Sequence, residues 1–70
     1  MNISEFVKKI RKENNLTQEE VALYSGVSAK FVNELERGKE TLQLNKVQQV
    51  LNLFNFELTP VQKKRDEEWE

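Results

Sequence analysis

The sequence predicts an all-α fold of four helices, followed by one short C-terminal strand that pairs across a dimer. Three observations carry this prediction. Apolar residues recur at helical spacing near both ends of the region before Asn55. Between them lie two short segments, each opened by a Thr or Ser cap and joined through a glycine turn. After Asn55 the pattern changes to a period of two, and Pro60 ends it.

Ile3, Phe6, Val7 and Ile10 form the apolar face of a first helix over residues 4–13, with Ser4 as its expected cap. Asn14 and Asn15 break it. Thr17-Gln18-Glu19-Glu20 is a capping box, in which hydroxyl and carboxylate satisfy free backbone donors reciprocally. Leu16, just ahead, is placed to pack onto Val21. The second helix stops near Tyr24-Ser25, because Gly26 tolerates positive φ. Ser28 caps a third helix that runs to Arg37 and stops at Gly38. Only Ser25, Gly26 and Val27 separate these two helices, which makes them a helix-turn-helix. Residues 41–45 lead into a fourth helix with Leu44, Val47, Val50, Leu51 and Phe54 on one face. Phe56 and Leu58 then alternate with Glu57 and Thr59 as a strand would.

Composition narrows the function. The 70 residues suffice for one domain, expected over 1–60, near the size at which dimerisation supplies needed burial. Cysteine and histidine are absent, which removes disulfides, thiolate metal sites and the commonest catalytic base. Gly26 and Gly38 are the only glycines, too few for a phosphate-cradling loop. The acidic pairs Glu19/Glu20 and Glu34/Glu36 are accounted for by capping and solvation. No catalysis, cofactor or metal is expected. No run approaches the roughly 18 apolar residues of a membrane span, and Met1 to Arg11 lacks a signal-peptide core, so a cytoplasmic protein is expected. The net charge of −1 conceals a division: without residues 66–70, which hold four acids, the chain is at +3. Such segregation suggests different partners for the body and for the charged tail, residues 61–70, which is expected to stay unfolded until bound.

Val32 and Leu35, three apart, face the core of the third helix. Ala29, Lys30, Asn33 and Glu34 are left on its outer face. The stretch Leu16 to Lys39, with LTQEEVA, GVS and LERGK in succession, resembles the phage-repressor-like (Cro/XRE) helix-turn-helix family. The resemblance covers about residues 3–55 and implies a lambda-repressor-like fold whose third helix enters the major groove of double-stranded DNA. In that setting Lys30 suits guanine, Asn33 adenine, Glu34 cytosine N4, and Ala29 a thymine methyl. A solvated helix face is the plainer reading of the same residues. Phe31 has two open placements, at the edge of the core or against a sugar or methyl. The resemblance gives Gln18 a phosphate contact at a helix N-terminus, which its free N–H groups favour. Ser28, Arg37 and Lys39 look like further backbone contacts, although cations there also stabilise a helix C-terminus. Arg11 and Glu36 match a family pair that bridges the first and third helices.

The C-terminal segment sets this sequence apart. Many members of the family follow the fourth helix with a fifth. Here Asn55 to Pro60 instead offers a lone strand, which needs a partner chain to pair with. Two copies pairing about a two-fold axis would bury Phe56 and Leu58 over Leu53 and Phe54, and would require a palindromic operator. This arrangement resembles the HipB-type antitoxins, whose partners are HipA-like kinase toxins. Trp69, the chain's single tryptophan, sits in the charged tail as a candidate anchor for such a partner, or as an incidental exposed residue. Three functions follow: an autoregulating antitoxin, a free-standing phage-type or restriction-control regulator, or a helix-turn-helix used only for protein interaction.

Overall fold

The computed structural model describes residues 2–58. Four helices follow one another: α1 Ile3–Glu13, α2 Gln18–Ser25, α3 Ala29–Glu36 and α4 Leu44–Leu53. α3 packs against α1 and α2, and α2 also packs against α4. Among the described residues there is no strand.

The caps of α2 and α3 are those the sequence predicts. Thr17 Oγ1 accepts from Glu20 N–H at 3.0 Å while Glu20 Oε1 accepts from Thr17 N–H at 2.8 Å, and Ser28 Oγ accepts from Phe31 N–H. The cap of α1 differs. Asn2, not Ser4, caps it: Asn2 Oδ1 accepts both Glu5 N–H and the Ser4 hydroxyl, and Ser4 is buried inside the first turn. Asn is as strong a cap as Ser, and starting earlier adds helical hydrogen bonds.

All four helices end the same way. Asn15, Gly26, Gly38 and Asn55 have φ of 57°, 79°, 86° and 66°, the left-handed conformation that turns a chain sharply. In each case the following N–H reaches back across the turn, from Leu16 to Arg11, Val27 to Ala22, Lys39 to Glu34 and Phe56 to Leu51. One carbonyl in each last turn accepts this returning bond.

The core consists of Val7, Val21, Ala22, Phe31, Val32, Leu35, Val47, Val50 and Leu51. Each large apolar side chain removed from water contributes about 1.5–3 kcal/mol before chain entropy is counted. Leu16 packs against this cluster, as do Leu53 and Phe54. Leu44 does not belong to it. It lies in the first turn of α4 and stays 71% exposed, although its spacing matches the buried face. Helical periodicity assigns a face, but the core ends before the helix does.

The segment predicted as a strand takes a different course in the single chain. Asn55 turns it back, and Phe56 meets Phe6 edge to face with ring centroids 4.8 Å apart. The Gln48 amide donates to Phe56 C=O at 3.0 Å and accepts from Leu58 N–H at 2.7 Å. One side chain thus satisfies backbone groups that a neighbouring strand would otherwise take. Thr59, Pro60 and the tail with Trp69 lie outside the described residues.

Candidate nucleic-acid interface

The two central helices present the site. Capping by Ser28 starts α3 at Ala29, and burial of Phe31, Val32 and Leu35 fixes which side turns inward. Lys30 and Arg37 are therefore exposed, while Ala29, Asn33 and Glu34 are partly exposed. Of its two placements, Phe31 takes the core, with 8% of its surface accessible. It follows Lys30 and precedes Val32 on the inward arc, so its ring is withdrawn from the face that holds Lys30. Ser28 is exposed at the start of α3, and its hydroxyl is already engaged as the cap.

Gln18, the first residue of α2, stands beside this face. Its Nε2 donates to Glu36 Oε1 at 3.0 Å, and its Oε1 accepts from Asn33 Nδ2 at 3.3 Å. Glu36 is the centre of the arrangement. Arg11 Nε donates to Glu36 Oε2 at 2.6 Å and an Arg11 terminal nitrogen donates to Oε1 at 3.0 Å, forming a two-pronged ion pair. The other terminal nitrogen of Arg11 donates to Leu16 C=O at 2.8 Å. The pair predicted between the first and third helices is present, with side chains only 12% and 3% exposed.

Burial opposes charge on Glu36. Hydrogen bonds from Arg11 and Gln18, together with the charges of Arg11 and Lys8, outweigh it and hold the carboxyl below the usual glutamate range. The bond to Glu36 raises the guanidinium of Arg11 above its ordinary value despite desolvation, so it stays charged. Lys39 and Glu34 form a separate pair at 3.5 Å, but their side chains are 47% and 27% exposed. A pair that open to solvent adds about 1 kcal/mol at most.

The sequence resemblance pairs Arg11 with Glu36 and places Gln18 and Asn33 individually, but it does not join the four into one chain. Asn33 is 15 residues from Gln18 and Gln18 is 18 from Glu36. Periodicity within one helix carries no information on such contacts. The role of Gln48 was missed for the same reason. Among the described residues no group of three His, Cys, Asp or Glu side chains is arranged to hold a metal, and no helix is long and apolar enough to cross a membrane.

Comparison with known proteins agrees with this geometry. The model of the family described as "Helix-turn-helix" matches residues 7–61, most of the chain. The chain belongs to this helix-turn-helix family. A curated relative, the "Uncharacterized HTH-type transcriptional regulator y4mF" of Sinorhizobium fredii (strain NBRC 101917 / NGR234), is 48% identical over 50 residues. The matched region covers 71% of this chain and 66% of the relative. For a member of the family, the face built by α3 and the start of α2 is the candidate DNA surface.

The ion pair makes a testable link between this surface and stability. Arg11→Met leaves the Glu36 carboxylate buried without its main partner and is expected to cost about 3 kcal/mol. Because folding lowers the Glu36 pKa, its contribution is complete above the unfolded value of about 4.3 and is lost as pH falls through the lower folded value. Urea unfolding as a function of pH checks both statements. Wild type should lose stability more steeply than Glu36→Gln over this acidic range, and equal slopes would show that the pair is not formed in solution.

Proposed function

We propose that this helix-turn-helix protein is a sequence-specific transcriptional repressor that binds palindromic double-stranded DNA as a homodimer and catalyses no reaction. The observation that carries the reading is the single exposed face on which Lys30, Asn33, Glu34 and Arg37 lie beside Gln18, backed by a buried ion pair. α3 enters the major groove, where Lys30, Asn33 and Glu34 meet base edges and Ala29 meets a methyl group. Gln18, Ser28, Arg37 and Lys39 hold the phosphates.

Dimerisation uses residues 53–58, with the two copies of α3 about 34 Å apart on one side of the duplex. In support, Phe56 and Leu58 keep 41% and 39% of their surface exposed, next to the half-buried Leu53 and Phe54. Gln48 already occupies Phe56 C=O and Leu58 N–H. An extended segment points alternate peptide groups in opposite directions, so the N–H and C=O of Glu57 are the ones free to join a second copy.

The finer reading is an autoregulating antitoxin that acts in the cytoplasm and holds a HipA-like kinase toxin through its tail, with Trp69 as the anchor. It rests on the resemblance of the segment after α4 to HipB-type proteins and on the position of a lone Trp among acids. Co-purification with a kinase encoded next to this protein, lost on deletion of residues 66–70, is its test. Unchanged capture would leave a free-standing regulator as the better description.

Gel-shift titrations on operator and random duplexes test the DNA surface. Lys30→Ala should lower operator affinity by about 1–3 kcal/mol and relax base preference. Arg37→Ala should weaken all duplexes alike and reduce the salt slope by roughly one phosphate. Unaltered preference in Lys30→Ala would place the reading face elsewhere. For the dimer, Phe56→Asp should sediment as a monomer with its helix content intact, because Phe56 is not part of the core. A persisting dimer would rule out this interface.

A further inference from the structure

We infer that Gln18 determines base specificity without touching a base, by fixing which way Asn33 presents its amide and so making Asn33 a reader of adenine. This inference rests on the DNA-binding reading proposed above.

The argument follows hydrogen-bond polarity outward from the ion pair. An ionised carboxylate only accepts, so Glu36 Oε1 forces Gln18 to turn its Nε2 inward, as found at 3.0 Å. Gln18 Oε1 must then face the other way. It lies 3.3 Å from the Asn33 amide, and only the nitrogen of that amide can satisfy it. A flipped Asn33 would set two carbonyl oxygens against each other. The buried charge of Glu36, two hydrogen bonds away, thereby selects one orientation of an amide on the exposed face.

The selected orientation has a chemical consequence. With one N–H committed to Gln18, Asn33 retains one N–H and its Oδ1, to which nothing donates among the described residues. One donor beside one acceptor is what adenine complements in the major groove, through N7 and the N6 amino group. Guanine presents two acceptors there, and Oδ1 would face its O6 unfavourably. Asn33 shares its helix face with Lys30 and Arg37, three residues before it and four after, so the amide projects among the proposed DNA contacts. An asparagine without this tether is free to turn over, which sets its carbonyl against N7 and its amide against the N6 amino group, and the adenine pairing is lost.

The test separates Gln18 as a positioning residue from Gln18 as a phosphate contact. Site selection from randomised duplexes with the full chain identifies the preferred site, and fluorescence titration then measures discrimination at each position. Wild type should favour adenine by about tenfold at one position per half-site, the effect of a good bidentate pair. Asn33→Ala should abolish that preference and no other. Gln18→Met should abolish it too, while also weakening every duplex.

Gln18→Lys is the sharper variant. It keeps a donor for Glu36 and a cation for phosphate but has no acceptor for Asn33. The readout is the affinity ratio between bases at that position, which a general change in phosphate binding does not move, and it should fall towards one while discrimination at the other positions persists. Circular dichroism melts verify folding, and Asn33→Asp, which leaves the ion pair untouched, serves if either Gln18 variant unfolds; it too should lose the adenine preference. Full discrimination in Gln18→Lys, or in Asn33→Asp, overturns the inference, as does a base other than adenine at the Asn33-dependent position. A wild-type chain that selects no sequence at all would instead defeat the DNA-binding reading beneath it.

Discussion

The Glu36 carboxylate is the point from which the start of α2 and the end of α3 are held. Its side chain is almost fully removed from water, a placement that costs several kcal/mol unless the charge is met by donors. Arg11 supplies two and Gln18 a third. Arg11 also grips Leu16 C=O, so the end of α1, the connection to α2, the start of α2 and the end of α3 converge on one charge. An eight-residue helix such as α3 is too short to be stable alone, and nothing within it fixes its direction. Its orientation is imposed by the core beneath it and by this network at its end. An apolar pair would fill the same space, often with equal or greater stability. It would not set the polarity of Gln18.

The connections serve the same rigidity. Each helix ends in a left-handed residue followed by a bond back into its last turn, so the chain leaves every helix in a fixed direction. The turn between α2 and α3 is held further by α4: Gln49 Nε2 donates to Ser25 C=O, and a Cβ at position 26 would lie 3.3 Å from the same nitrogen. Glycine at this position permits both the positive φ and the close approach of Gln49. The fourth helix thus bears on the angle between α2 and α3, the two helices proposed to meet DNA, although it makes no proposed contact with bases.

Local chemistry was the legible part of the sequence. Thr17 and Ser28 as caps, Gly26 and Gly38 as stops, and Val32 and Leu35 as inward residues all depend on neighbours within a turn or two, where propensity and spacing act. The Arg11–Glu36 pair, 25 residues apart, was accessible only through resemblance to a family. What stayed hidden depends on the third dimension. Asn2 replaces Ser4 as the cap because α1 starts one residue earlier than predicted, at Ile3, and Asn2 Oδ1 takes both the Glu5 N–H and the Ser4 hydroxyl. Leu44 has the right phase for burial, but among the described residues no element covers that end of α4. Phe31 looked ambiguous because a bulky residue beside a recognition face has two plausible refuges, and the depth of the core decides between them. Residues 55–58 carry a strand's alternation, yet a ladder needs a second strand, and in one chain the Gln48 amide takes that place.

Charge also reads differently once it is located. A net charge of −1 is an unpromising total for a polyanion ligand, and α3 alone contains Glu34 and Glu36. Both are matched inside the protein: Glu36 is turned inward against Arg11, and Glu34 stands 3.5 Å from Lys39. Lys30 and Arg37 enter no ion pair among the described residues and are exposed on the same side. At physiological salt a charge is felt over about 8 Å, so a group approaching Lys30 and Arg37 experiences these two cations far more than any charge beyond that distance. Burying one acid and pairing the other makes the face locally positive within a chain that is slightly negative as a whole.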